Sequence, residues 1–348
     1  MLLKQIILQN FRNFDKQSFT FNPFLTIIIG DNAKGKTNLL EAIYCLINGS
    51  GFREEKEEEL ISFGKNQATI EAKFGLEDKI FDFKVHFRKR NDTVEKAYFI
   101  DKTKKRYYDY MSLQTKAVLF SPEQIEIITH SPEIRRDYFK KLISFYDYDY
   151  KKKLGNFDNA LRRRNKILEF HKNEATLKEE LIFWDEYLEK HAQYITAKRK
   201  KYVDFLNNHP KIDKREFYVD YLKNELTRKK LKEIFHVEKK YRRTMIGPQK
   251  DDFQIYEKEA DFNKNLHHYG SRGEQRLAIF WLKFNEIGYY ENRFNRRPIL
   301  LLDDVFSEFD FKNKKLVLDL VKKYQTVVTT TEIELLDLSS VPKTIIKL

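Results

Sequence analysis

The chain has little of what would staple it, anchor it or export it. Cys45 is the only cysteine in 348 residues, so no disulfide framework can form, and a reducing cytoplasm is the expected setting. It falls within an apolar helical pattern and reads as core filling, not as a nucleophile. No apolar run approaches the length of a membrane span, and the opening MLLKQIILQNF lacks signal-peptide order. A soluble protein that stays inside the cell, with no membrane partner, is expected. No repeat or low-complexity tract appears. Acidic residues are in deficit: 53 Asp and Glu against 66 Lys and Arg leave a net charge of +13. That balance favours an acidic partner, with nucleic acid the first candidate and a lysine-rich solvated surface the alternative. The length supports a large core and a division into two domains.

Most of the chemistry is concentrated between Thr26 and Ile47, in TIIIGDNAKGKTNLLEAIYCLI. Ile27, Ile28 and Ile29 read as a buried strand. Gly30, Asp31, Asn32, Ala33, Lys34, Gly35, Lys36 and Thr37 then fit the phosphate-loop pattern G-x-x-x-x-G-K-[ST]. A helix-period segment follows, with Leu39, Leu40, Ile43 and Leu46 on one face. The order matters chemically. Glycines at both ends of the loop let the backbone wrap phosphates, and helix-start N–H groups meet negative charge. Lys36 is placed to reach the β- and γ-phosphates, and the Thr37 hydroxyl to ligate Mg²⁺. ATP and Mg²⁺ are therefore expected ligands.

Before the loop, LLKQIILQNF and KQSFTFNPFLTIIIG read as two strands, the second carrying Pro23. After it, GSGFREEKEEELISFG is charge-rich and reads as a solvated loop or helix start. Residues 68–110 alternate, with turn-like GLED and RKRND between apolar runs, and predict an antiparallel meander. Two Ser-Pro-Glu segments predict helix starts at Pro122 and Pro132, each capped by its serine. From Tyr150 to about Leu206 the spacing predicts a helical hairpin with its turn near HKNEAT. Residues 191–250 hold 17 Lys and Arg against 7 Asp and Glu, a local +10. This basic arm includes Lys198, Arg199, Lys200 and Lys201, the candidate DNA contacts.

A second site-like motif is RRPILLLDDVFSEFD at 296–310. A short apolar strand delivers Asp303 and Asp304 at its carboxyl end, where open α/β sheets place ligands. Asp303 fits the Mg²⁺-organising position of phosphate-loop ATPases, and Asp304 fits a general base near the attacking water. Glu308, or a water held by Glu123, is the alternative base. Between the two motifs, YGSRGEQR places Ser271 as a helix cap, Gly273 for close approach and Glu274 in the first turn. The strand QTVVTTTE ends in Thr329, Thr330 and Thr331, with no histidine.

Taken in this order, the motifs resemble the RecF family of bacterial recombination mediators, SMC-like members of the ABC-type ATPase class, over essentially the whole chain. The marks are FRNF, GDNAKGKTNLLEAIY, VLFSPEQIEII with SPEIRRDYF, RRRNKIL, MIGPQKDDFQI, YGSRGEQR, LLLDDVFSEFD and TTTE. The family more often has Gln where Glu274 stands and Asp where Gln124 stands. The resemblance implies an α/β ABC-type head, a mixed sheet with an antiparallel subdomain, carrying an inserted helical arm. The expected divisions are 1–120 and 245–348 for the head and 121–244 for the arm. It implies that Ser271, Gly273 and Gln275 form a signature acting in trans on the partner head of an ATP-induced homodimer. Either Glu123 or Gln124 would be the Q-loop equivalent. It further implies weak, DNA-dependent ATP hydrolysis, binding near single-strand/duplex junctions, and help to load RecA with RecR and RecO in gap repair. Two other readings share some motifs. An ABC transporter subunit would carry a switch histidine near Thr330, and an SMC-like or nuclease-associated ATPase would need far longer coiled arms. A DNA clamp gated by ATP, with incidental hydrolysis, is the non-enzymatic reading.

Overall fold

The computed structural model describes residues 1–53, 56–91, 93–113, 115–170, 174–260, 262–305, 311–331 and 341–348. The chain forms two compact units, one of residues 1–124 and 286–348, the other of residues 125–285.

The first unit contains two sheets. A five-stranded sheet has the order Lys343–Lys347, Leu25–Ile29, Thr326–Thr330, Ile299–Asp303, Ala117–Phe120, with every neighbouring pair parallel. Ile299–Asp303 and Thr326–Thr330 are buried along their whole length, as a parallel sheet covered on both faces requires. The phosphate-loop helix, Lys36–Asn48, starts beyond a left-handed Gly35 and ends on a left-handed Gly49 whose N–H bonds the Cys45 carbonyl. Cys45 is fully buried in it, as core filling demands.

The second sheet is antiparallel, in the order Phe14–Thr20, Leu2–Phe11, Gln67–Leu76, Lys79–Arg90, Thr93–Ile100, Thr103–Lys105. This is the expected meander, extended by the N-terminal hairpin. Asp101 and Lys102 both have positive φ, which fits the twist of a two-residue hairpin turn. The N-terminal region differs from expectation, since KQSFTFNPFLTIIIG is two strands. Its first half pairs in the antiparallel sheet and its second half in the parallel one. Asn22 and Pro23 make the corner between them: Asn22 N–H donates to Thr26 Oγ1 and the Asn22 side chain accepts from Phe24 N–H.

The second unit is built on a helical hairpin, Tyr148–Phe170 and Glu174–Asn208. The first half of the expected HKNEAT turn, residues 171–173, lies outside the described residues, and the second half already belongs to the second helix. A four-stranded antiparallel sheet completes the unit, ordered Asn263–Asn265, Asp252–Lys258, Arg215–Leu222, Lys211–Ile212. This sheet explains a shifted boundary. Residues 245–285, expected with the head, pack in the second unit because Asp252–Lys258 pairs along Arg215–Leu222. The Ser-Pro-Glu segments also differ in detail. The first opens a 3₁₀ turn, Pro122–Ile125, in which Gln124 rather than Ser121 supplies the side-chain bond. The second opens the helix Pro132–Tyr146, but the Ser131 side chain makes no capping bond.

Two buried ion clusters tie the second unit together. Arg164, 1% exposed, donates to Asp185 at 2.7 Å, Glu238 at 2.7 Å and Thr244 Oγ1 at 2.8 Å. Asn165 beside it accepts from both the N–H and the hydroxyl of Thr244. In the other cluster, Asp251 accepts from Arg199, the Tyr221 hydroxyl and Asn224 N–H, while Arg135 holds Asp252 through two bonds of 2.6 and 3.1 Å. SPEIRRDYF and GPQKDDF thus meet in one cluster, and RRRNKIL anchors the other. Among the described residues, no helix is long and apolar enough to cross a membrane.

Removing one partner from such a cluster strands the others without solvation. Arg164→Met should cost about 3–5 kcal/mol in urea-induced unfolding, whereas the exposed neighbour Arg162→Ala should change stability by no more than about 0.5 kcal/mol. An Arg164→Met protein within about 1 kcal/mol of the parent would contradict the framework role.

Candidate nucleotide site

The strand Leu25–Ile29 delivers the chain into the phosphate loop at the carboxyl edge of the parallel sheet. Two features hold the loop's shape. Gly35 has φ +103, and a Cβ there would sit 2.5 Å from the Asn13 side chain. Gly30 is equally tight, since a Cβ would lie 2.6 Å from the Leu348 carbonyl oxygen. Lys36 Nζ donates to the carbonyls of Gly30 and Asp31 at 2.7 and 2.9 Å, so its charge is held inside the loop.

The FRNF hairpin turn braces this loop from outside. Phe11 pairs with Phe14, which leaves Arg12 and Asn13 at the tip. Arg12 grips the fully buried Glu41 of the phosphate-loop helix through bonds of 2.7 and 3.1 Å. Asn13 donates to the Lys34 carbonyl and accepts from Asn38. Asn38 in turn accepts from Arg53 at 2.6 Å. The reading of the sequence missed Arg53 as a site residue, because FREE presents only an acidic-looking loop.

The second half of the site arrives from the far end of the chain. Strand register sets Asp303 opposite Thr329, and Thr329 opposite Ile28. Asp303 Oδ1 accepts from Thr37 Oγ1 at 3.0 Å and from Thr329 Oγ1 at 2.7 Å. Thr329 also accepts from the Asp304 N–H at 3.0 Å. Burial pushes the Asp303 carboxyl upward, and the negative Glu123 adds to that, against the opposing bonds from Thr329 and Thr37 and the charge of Arg53. Asp304 adopts a left-handed backbone, φ +48, so the chain turns sharply out of the strand at this residue. Glu308 lies outside the described residues, as does the Glu332 that closes TTTE.

Of the two Q-loop candidates, Gln124 is turned into its own loop, donating to the Leu119 carbonyl. Glu123 is exposed, and its charge is felt by Asp303. Where an ABC transporter subunit would carry a histidine, Thr329 is committed to Asp303 and Asp304, and Thr330 is buried.

These groups suit a nucleotide with a hard divalent cation. Thr37 and Asp303 bring two oxygens together beside the phosphate loop. Among the described residues there is no cluster of three or more His, Cys, Asp or Glu side chains able to hold a metal. A cation here must complete its shell with phosphate oxygens and water, which is how Mg²⁺ is commonly bound.

The signature segment belongs to the second unit. Ser271 and Glu274 form a reciprocal cap, with Glu274 N–H donating to Ser271 Oγ at 3.3 Å and Ser271 N–H to Glu274 Oε2 at 2.8 Å. Burial works to raise the Glu274 carboxyl, but bonds from Lys264 and Ser271 outweigh it and hold it down to about 2. Glutamate, where the family more often has glutamine, is thus a fixed negative charge at a helix start. Ser271 is exposed and Gly273 faces open space. Gln275 departs from expectation: it is buried and donates to the Leu266 carbonyl, so it fixes the preceding turn and offers nothing outward.

The basic arm needs a correction as well. Arg199 is 3% exposed and bound to Asp251, the Pro248 carbonyl and the Tyr150 hydroxyl, so it is a structural cation, out of reach of a nucleic acid. Lys198 is paired with Asp147 at 2.5 Å and Lys200 with Asp204 at 2.8 Å. Lys201 is exposed. Charge counting could not separate these four, because their partners lie on other turns and other elements.

The RecF/RecN/SMC N terminal domain family matches residues 2–347. A protein named DNA replication and repair protein RecF from Clostridium botulinum (strain ATCC 19397 / Type A) is 33% identical over 354 residues, covering 97% of this chain and 94% of its own. The protein of the same name from Alkaliphilus oremlandii (strain OhILAs) is 31% identical, covering 97% and 95%. Among solved structures, the recombination mediator protein RecF bound to ATP, described as part of the RecFOR pathway, superposes with a TM-score of 0.83 at 29% identity, covering 98% of this chain and 93% of that one. An SMC head bound to the C-winged helix domain of ScpA reaches 0.51 at 16% identity, covering 96% and 90%, and supports the shared ABC-type head fold alone. The chain belongs to the RecF family, within the wider RecF/RecN/SMC group.

Proposed function

We propose that this chain is an ATP-dependent DNA-binding protein of replication and recombinational gap repair in the cytoplasm, closing into a homodimer on ATP and reset by slow, DNA-stimulated hydrolysis. The observation that carries the reading is the 3.0 Å bond between Thr37 and Asp303, residues 266 positions apart that meet beside a phosphate loop. The names of the relatives, and the ATP complex of the RecF structure, support the same assignment. DNA, RecR with RecO, and indirectly RecA are the proposed partners.

In this reading Lys36 exchanges the carbonyls of Gly30 and Asp31 for phosphate oxygens. Thr37 and Asp303 would hold Mg²⁺, which supplies neutralising charge on the phosphates. Thr329 keeps Asp303 oriented, and Asp304 accepts the proton of the attacking water. Ser271 and the helix start behind it act on phosphate bound by the partner head. Of the four candidate contacts, Lys201 and the surface-exposed Lys200 remain available for DNA phosphates, and binding should fall steeply with salt.

Lys36→Met should abolish tight ATP binding in a folded protein, and Lys36→Arg should keep binding better than turnover, because its fork is bulkier. Unchanged affinity in Lys36→Met, by fluorescent-nucleotide titration, would remove the phosphate-loop assignment.

Asp303→Asn should weaken Mg²⁺-dependent binding. Asp304→Asn should spare binding, slow hydrolysis about 10²-fold or more and trap the closed dimer. Parent-rate hydrolysis by Asp304→Asn would move the base to another residue.

Ser271→Arg should bind ATP yet neither dimerise nor turn over. Mixed with Lys36→Met, it should regain part of the ATPase activity, since a heterodimer carries one intact composite site. If heterodimers form, stay inactive, and residue 271 fails to crosslink to nucleotide on the other subunit, the trans assignment is wrong.

A further inference from the structure

The parallel sheet has an open groove at its other edge. At the amino-terminal ends of its strands, opposite the phosphate loop, a cavity of about 500 Å³ opens between Leu2, Phe24 and Leu76 on one side and residues 295–299 and 322–325 on the other. The strands are five residues long, which at about 3.3 Å per residue puts this groove roughly 16 Å from the nucleotide site. It is therefore not an extension of that site.

Its chemistry is specific. Leu2, Phe24 and Leu76 are 38%, 48% and 45% exposed, a cluster of apolar side chains facing water. The rim is cationic: Arg296, Arg297, Lys322 and Lys323 all line it, and no carboxylate does among the described residues. Two of these cations are engaged, Arg297 with the Lys323 carbonyl and Lys323 with Glu291 at 3.4 Å. Arg296 and Lys322 are exposed and have no carboxylate partner among the described residues. Like charges gathered around an apolar floor repel one another and expose hydrocarbon, so the arrangement costs the free protein stability. An occupant that brings both negative charge and apolar side chains relieves both costs.

We propose that this groove docks an acidic peptide segment of a partner protein, with one or two leucine or phenylalanine side chains seated on Leu2, Phe24 and Leu76. Arg296 and Lys322 pair with the flanking carboxylates and set the approach. A nucleic-acid strand would satisfy the rim and stack a base on Phe24, but it would leave Leu2 and Leu76 uncovered, so the peptide is the better match.

The test uses the full-length chain and fluorescence anisotropy. The probe is a short fluorescein-labelled peptide of aspartate and glutamate around one leucine and one phenylalanine. Saturable binding is expected, weakened at least about tenfold when the leucine and phenylalanine are replaced by serine. Arg296→Glu with Lys322→Glu should weaken it comparably, with ATP affinity unchanged and the melting temperature not lowered, and Phe24→Ser should weaken it as well. The charge reversals lie on exposed side chains, so they give a reading even if Phe24→Ser folds poorly. Absence of saturable binding, equal binding of the serine peptide, or indifference to the charge reversals would each overturn the proposal. So would displacement of the peptide by oligothymidylate together with loss of oligothymidylate binding in the charge-reversed protein, which would make the groove a nucleic-acid site.

Discussion

A single carboxylate oxygen joins the two ends of this chain. Asp303 Oδ1 accepts from Thr37 in the phosphate loop and from Thr329 on the neighbouring strand. Neither bond could form without the parallel register that sets the strands Leu25–Ile29, Thr326–Thr330 and Ile299–Asp303 side by side. The sheet is thus a positioning device. Burial raises the cost of the Asp303 charge, and two hydroxyl donors counter part of it while fixing where the carboxylate sits. The hairpin tip at Arg12 and Asn13 does the same for the loop, gripping Glu41 and the Lys34 carbonyl.

The second unit is held by the opposite device, charges kept away from water. Arg164 and Arg199 are each enclosed by carboxylates and hydroxyls, and the tyrosines beside Asp251 complete that cluster. Such clusters contribute little net stability relative to apolar packing, but they are unforgiving of partial replacement. They specify which helix meets which strand. A separate group, Glu274 with Lys264 and Arg215, holds the capped helix start at Ser271.

What could be read from the sequence was what is local. The phosphate loop, the Ser271–Glu274 cap, the meander and the carboxyl-edge Asp303 are set by residues within a few positions of one another. The misreadings share one cause, a partner distant in sequence. Gln275 was read as part of an outward signature, yet its side chain turns back to Leu266. Arg199 counted toward a basic surface, yet Asp251 buries it. Residues 245–285 were placed with the head because their motifs are head motifs, while strand pairing puts them in the other unit. The split of residues 16–30 between two sheets is of the same kind, since periodicity reports a strand but not its neighbours. Arg53 was passed over because an acidic run hid a cation whose target, Asn38, lies fifteen residues back.

If Thr37 and Asp303 are two walls of one metal position, their contributions to ATP affinity cannot be independent. The direct measurement is a double-mutant cycle of Thr37→Val and Asp303→Asn, read as ATP affinity by calorimetry with and without Mg²⁺. The account predicts that with Mg²⁺ the double variant loses less than the sum of the single losses, with a coupling of about 0.5–3 kcal/mol that disappears when Mg²⁺ is withheld. Strict additivity in Mg²⁺, or the same coupling without it, would mean that the bond between the two residues is structural only and that the cation is held elsewhere.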